Sequence, residues 1–91
     1  MGAVAESLER KLTRAFAPSR LEVVDDSHRH AGHGGARPGG ESHFNVVIEA
    51  AAFEGLSRLE RQRRVNDVLA EELAGPVHAL SVKALAPSER G

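Results

Sequence analysis

Residues 43–50, HFNVVIEA, carry the alternating pattern that decides the fold. Every second side chain of this stretch is large and apolar, and successive side chains of a β-strand point to opposite faces of the sheet. One face therefore belongs to a core, and the stretch predicts a strand. The apolar positions are Phe44, Val46 and Ile48.

A second strand is predicted upstream in RLEVVD, residues 20–25, where Leu21 and Val23 share a face. Strands joined directly along the chain usually pair antiparallel. The segment between the two strands, residues 26–42, is rich in glycine and histidine. Connections of that length in a compact domain are usually functional or mobile, so we expect a flexible loop here.

Two helical regions flank these strands. In the first, apolar residues recur every four positions, and Pro18 ends the pattern because the residue before a proline disfavours helix. The second begins after Ser57, which forms a predicted capping box with Glu60, and it stops at Gly75 before Pro76. The predicted buried stripes are Val4, Leu8, Leu12 and Phe16 in the first helix and Val65, Val68, Leu69 and Leu73 in the second.

The last strand is predicted in VHALSVKALAP, residues 77–87, with His78 as its second residue. A strand–helix–strand crossover favours parallel pairing of its two strands. The order αββαβ therefore predicts an α+β fold, a three-stranded mixed sheet with the helices packed on one face. The final PSERG is expected to be a frayed tail.

The composition is that of one globular domain over residues 1–91, with 41% hydrophobic residues, 27% charged residues and a net charge of −1. No bulk charge therefore draws the chain to nucleic acid or to an anionic membrane. The lack of cysteine excludes disulfides, all-thiolate metal sites and a nucleophilic thiol. No Ser-His-Asp constellation and no long apolar run is evident, and we expect a cytoplasmic location.

The predicted topology brings histidines together at one edge of the sheet. Parallel second and third strands begin at the same edge, so His78 and His43 should lie where the loop with His28, His30 and His33 emerges. Neutral imidazole is a common ligand of iron, zinc and copper, so two or three of these residues could bind a metal. The alternatives are a core-edge role for His78 and a solvated spacer for the loop histidines.

Arg58, Arg61 and Arg64 recur at every third position and form one basic stripe on the second helix. A solvated helix face is the simplest interpretation, and a site for nucleic acid or an acidic partner is the alternative. The chain's aromatic residues are three phenylalanines at expected core positions, so no platform for base stacking is predicted.

Several segments carry the motifs of a known family: LEVVDDSHRHAGH, SHF at the start of the second strand, F-x-G after it, R-x-R-x-V in the second helix, LAEEL and VHAL. Over nearly its whole length the chain resembles the BolA family. The resemblance implies a class II KH-like fold and a non-enzymatic function. It also implies a monothiol glutaredoxin as partner and a [2Fe–2S] cluster shared with it, to which the glutaredoxin contributes cysteine and glutathione sulfur.

The family's ligand positions match particular residues of this chain. The resemblance implies His78, in VHAL, as one cluster ligand and His30, in the loop, as the other, with His33 as a nearby substitute. Because the thiolates come from the partner, no cluster is expected in the isolated chain, which we expect to be a monomer or a weak dimer. The family usually has Arg-His-Arg in the second helix, where this chain has Gln62 in place of the histidine.

The resemblance also implies an alternative function, because some bacterial members are DNA-binding transcriptional regulators of stress response and cell morphology. In that alternative the contacts to nucleic acid or to a partner are Arg58, Arg61 and Arg64. The helix-joining G-x-x-G that grips nucleic acid in true KH domains is missing, which puts RNA binding by that route in doubt.

Overall fold

The computed structural model describes residues 2–26 and 43–89. The predicted loop at 26–42 lies outside the described residues except for Asp26. The main elements are α1 (Ala3–Phe16), β1 (Arg20–Asp25), β2 (His43–Glu49), α2 (Arg58–Val68), α3 (Ala70–Ala74) and β3 (Ala79–Leu85). Short 3-10 turns occupy Ala51–Phe53 and Pro87–Glu89. The predicted αββαβ order is confirmed, with the second helical region divided in two.

The sheet has the strand order β1-β2-β3, so β2 is the central strand. β1 pairs antiparallel with β2, and Val23 lies opposite Val46. β2 pairs parallel with β3, and His43 lies opposite Ala79. This is the mixed sheet that the sequence predicts.

The alternation in β2 places one of its faces in the core. Phe44, Val46 and Ile48 are at most 2% exposed. α1 covers this face with Leu8 and Leu12, which are fully buried, because residues four apart share one side of a helix. α1 packs against β1 and α2 packs against β3, so the helices share one face of the sheet as predicted.

The second helical region is interrupted at Leu69, where the backbone leaves helical geometry with φ −102° and ψ 18°. Helical hydrogen bonding continues across the interruption, since the Leu69 N–H donates to the Val65 carbonyl at 3.1 Å and the Leu73 N–H donates to Leu69 at 3.0 Å. The predicted buried stripe is kept, with Val65 and Leu69 fully buried. The interruption is thus a local distortion and not a change of direction.

The entry into α2 follows the predicted signals. Gly55 adopts φ 76°, a left-handed conformation that a side chain disfavours. Two residues later the Ser57 hydroxyl accepts a hydrogen bond from the Glu60 N–H at 3.1 Å and caps the helix. The region ends at Ala74 with Gly75 following, as predicted.

The prediction of a frayed tail is wrong for Pro87–Glu89, which form a 3-10 turn. The Glu89 carboxylate accepts a hydrogen bond from the Ala86 N–H at 3.0 Å and forms an ion pair with Arg61 at 2.6 Å. The turn at Pro87–Glu89 is therefore held by the ion pair with α2 as well as by its own hydrogen bond.

Candidate functional site

The candidate site lies at the sheet edge where β2 and β3 begin. Parallel pairing places His43, the first residue of β2, opposite Ala79, the first residue of β3. The Asp26 N–H donates to the His43 carbonyl at 2.8 Å, so these two residues, which flank residues 27–42, lie next to each other. Both residues that flank the histidine-rich segment are therefore held at this edge.

His78 lies at the same edge, one residue before β3 and not inside it as predicted. Val77 is 3% exposed and anchors this segment in the core, whereas the His78 side chain is exposed. The core-edge interpretation of His78 is therefore wrong. The His78 imidazole is therefore accessible to a group from outside the chain, while the buried Val77 holds the backbone beside it.

The rings of His43 and His78 are in contact, with centroids 5.5 Å apart and ring planes inclined by 59°. The predicted convergence of these two histidines is confirmed. His28, His30 and His33 lie outside the described residues, so the ligand assignments to His30 and His33 stay predictions.

A shallow depression of about 160 Å³ borders His43 on the sheet face away from the helices. Besides the imidazole, its polar lining comes from Asp26, Asn45 and Ser81. Groups of this kind bind water and small polar ligands. The depression is therefore a polar surface next to the rings of His43 and His78.

Within residues 2–26 and 43–89, no group of three histidine, cysteine, aspartate or glutamate side chains is placed to hold a metal ion. The described part of the site supplies two imidazoles and no thiolate. These are the imidazoles of His43 and His78, and neutral imidazole is a common ligand of iron, zinc and copper.

The arginine stripe does not exist as predicted, because Arg61 is only 7% exposed. Its guanidinium donates to the carbonyls of Leu56 at 2.9 Å and Ala84 at 3.1 Å, and to both carboxylate oxygens of Glu89 at 2.6 and 2.8 Å. The hydrogen bonds from Arg61 and from the Ala86 N–H lower the pKa of Glu89 to about 2. Arg61 is thus a structural residue.

The sequence does contain a signal for this burial. Arg61 precedes the buried residues Val65 and Leu69 at intervals of four, so it belongs to the inward stripe of the helix. The sequence interpretation placed Arg61 on the exposed face instead, because Arg58 and Arg64 lie three positions before and after it. Both of those residues are exposed, as predicted, and Arg64 lies 4.0 Å from the carboxylate of Glu60.

A groove of about 330 Å³ runs between α2 and β3. Arg58, Gln62 and Lys83 line its open side, and Val82 and Leu85 contribute apolar surface. The groove is separate from the histidine edge, since it borders the middle and end of β3. In the folded chain, this basic groove takes the place of the predicted arginine stripe.

A buried polar cluster was missed by the sequence interpretation. Glu72 on α3 is 8% exposed and accepts hydrogen bonds from Ser7 at 2.8 Å and Lys11 at 3.0 Å, both on α1. Burial raises the pKa of Glu72, but the hydrogen bonds from Lys11 and Ser7 outweigh it and leave that pKa lowered. The cluster joins two helices and lies apart from the histidine edge.

None of the helices described is long and apolar enough to span a lipid bilayer. This finding concerns residues 2–26 and 43–89.

Comparison with known proteins identifies the family. The BolA-like protein family model matches residues 12–89. An uncharacterized protein from the cobS 5′ region of Sinorhizobium sp. is 48% identical over 90 residues, covering 94% of each chain. Human BolA-like protein 1 is 44% identical over 98% of this chain, which spans only 62% of that relative's length.

A solved structure agrees with these matches. The BolA domain of SufE1 from Arabidopsis thaliana superposes with a TM-score of 0.87 at 40% identity, over 98% of each chain. A family match over most of the chain and a shared fold at this identity agree with the motifs and the strand order described above. The chain belongs to the BolA-like protein family.

Proposed function

We propose that this chain is a non-enzymatic adaptor that binds a monothiol glutaredoxin and co-ligates a [2Fe–2S] cluster with it, in iron–sulfur handling or iron regulation. The observation that carries the proposal is the exposed His78 imidazole at the edge where both ends of the histidine-rich segment are fixed. Family membership and the related BolA domain of SufE1 support it.

The proposed ligands are His78 and His30, with His33 as the substitute. His30 is four residues beyond Asp26, so connectivity keeps their Cα atoms within about 14 Å of each other. A bound cluster would supply a one-electron redox centre, with its thiolates coming from the partner's cysteine and glutathione. This chain's part is to present the imidazole ligands, and the buried Val77 fixes the backbone beside His78.

The proposed setting is cytoplasmic, and the isolated chain is proposed to be a monomer or a weak dimer. Without the glutaredoxin, no thiolate is available for the cluster, because the chain contains no cysteine. Assembly of the cluster therefore requires the partner in this proposal.

The test is the visible spectrum of the cluster-loaded complex with a monothiol glutaredoxin and glutathione. We expect His78→Ala and His30→Ala each to change the spectrum, because each replaces an imidazole on iron. Lys83→Ala, which is exposed and away from this edge, serves as the control and should leave the spectrum unchanged. Unchanged spectra in both histidine variants would rule out these ligands, and failure to form a complex would rule out the partner.

The groove between α2 and β3 favours a second candidate function, a DNA-binding regulator of stress response or morphology. Arg58 and Lys83 line this groove and Arg64 is exposed on the same helix, whereas Arg61 is engaged inside the protein. We expect salt-dependent binding to a promoter fragment that weakens in Arg58→Ala and Arg64→Ala. A promoter affinity no higher than that for random duplex would eliminate this candidate.

A further inference from the structure

We propose that His43 and His78 together form a binding site for one zinc ion that the isolated chain fills without any partner protein. The proposed ligands of the iron–sulfur cluster, His78 and His30, do not include His43. The site would take a divalent ion that prefers imidazole and tetrahedral geometry, with water in the two remaining positions.

The spacing of the two rings carries this inference. In a zinc site the metal–nitrogen distance is about 2.0 to 2.1 Å, so with the ring centroid about 1.1 Å beyond the nitrogen, two imidazoles on one tetrahedral ion have centroids about 5 Å apart. The observed separation is 5.5 Å. On a square-planar ion two cis imidazoles would have centroids about 4.5 Å apart and two trans imidazoles about 6.3 Å apart, so the observed separation lies nearest to the tetrahedral value that Zn²⁺ prefers.

The backbone holds the two histidines at this spacing before any metal arrives. His43 opens the central strand, directly opposite Ala79, the residue that follows His78. The His43 carbonyl is bound by the Asp26 N–H, and Val77 is buried on the other side. The ring orientations are left to adjust, and the His78 side chain is exposed.

The surroundings suit a hydrated cation. Asp26, Asn45 and Ser81 line the depression beside His43, and their oxygens can accept hydrogen bonds from metal-bound water. No third side chain within the described ranges completes the metal shell, so the site is open on its solvent side. Such a site binds more weakly than a closed structural zinc site.

The experiment isolates this pair from the other histidines of the chain. His28→Ala, His30→Ala and His33→Ala combined leave His43 and His78 as the only two of the five histidines. We expect this triple variant to bind one Zn²⁺ per chain in calorimetric titration. The imidazole NMR signals of both remaining histidines should shift together.

Adding His43→Ala or His78→Ala to the triple variant removes one arm of the chelate and should weaken Zn²⁺ binding at least about tenfold. Thr13→Ala in the same background is the control and should bind within about twofold of the triple variant, since Thr13 is exposed on α1, outside this depression, and is no metal ligand. His78 is exposed, so its variant keeps the fold even where His43→Ala does not. The proposal is overturned if the triple variant binds no zinc, or if it binds zinc equally well without His78.

One consequence rests on the proposed function, because His78 belongs to both sites. Zinc bound to the pair should block the shared cluster, and excess Zn²⁺ should slow cluster formation with the glutaredoxin. In a variant with His43→Ala this inhibition should be lost while the cluster still forms. Zinc binding without inhibition would contradict the cluster assignment of His78 and leave the zinc site standing.

Discussion

At the scale of single residues, the burial of Arg61 is the most informative observation. A guanidinium that loses water needs hydrogen-bond partners for its donors, since unpaired buried charge is strongly destabilising. Two backbone carbonyls and the carboxylate of Glu89 provide them. The result is that a charged residue of α2 holds the turn at Pro87–Glu89 in place.

This ion pair predicts a dependence of stability on pH. The folded pKa of Glu89 is about 2, below its ordinary value of 4.5, so the contribution is complete above pH 4.5 and is lost as the pH falls toward 2. Glu89→Gln should lose that part of the acid dependence, as measured by urea unfolding between pH 5 and pH 2.5. The effect should shrink at high salt, because the Glu89 side chain is 44% exposed. Identical pH profiles for the two proteins would contradict the assignment.

At the scale of elements, helix ends and helix contacts are set by short-range polar interactions. Ser57 caps α2, and the cluster of Ser7, Lys11 and Glu72 fastens α3 to α1. The cluster spans more than sixty residues of sequence. It therefore stabilises the tertiary arrangement, whereas the cap stabilises one helix locally.

The cap gives a matched pair of variants. Ser57→Ala removes the acceptor for the Glu60 N–H and should lower the free energy of unfolding by about 1 kcal/mol. Ser57→Asp keeps an acceptor and should stay close to the parent protein. Both are measured by urea denaturation at neutral pH. Equal losses in the two variants would show that the hydroxyl acts otherwise than as a cap.

The elements could be predicted from sequence because their signals are local. The alternation around Val46, the four-residue spacing around Leu8 and the Ser57 cap each involve only a few neighbouring residues. The pairing of Glu89 with Arg61 and the cluster at Glu72 depend on contacts across 28 and more than 60 positions, which no local pattern encodes. For the site, topology alone predicted that His43 and His78 converge. The strand begins at Ala79, two residues later than its pattern suggested, so His78 lies outside it.

At the scale of the whole molecule, the core and the candidate site are separate. The buried apolar residues form one cluster from α1 through the sheet to α2, and His78 lies outside it. The face of the sheet that the helices cover provides stability. The edge where β2 and β3 begin presents the imidazoles.

This separation predicts that function and stability respond to different substitutions. Leu8→Ala removes a fully buried side chain and should cost about 3 kcal/mol in the free energy of unfolding. His78→Ala should change that free energy by no more than about 0.5 kcal/mol, because the side chain is exposed. Urea denaturation of both variants without metal checks the contrast, and a large loss in His78→Ala would show that the ring contact with His43 is structural.

The hydrogen bond between Asp26 and His43 also bears on how this protein evolves. The sheet fixes both ends of the intervening segment, so its length is free to vary: doubling it adds only about 0.6 kcal/mol of closure entropy. Insertions and deletions between these two residues should therefore be tolerated in relatives of this chain. The reach of the histidines carried there can then be adjusted to different partners while the domain that supports them stays the same.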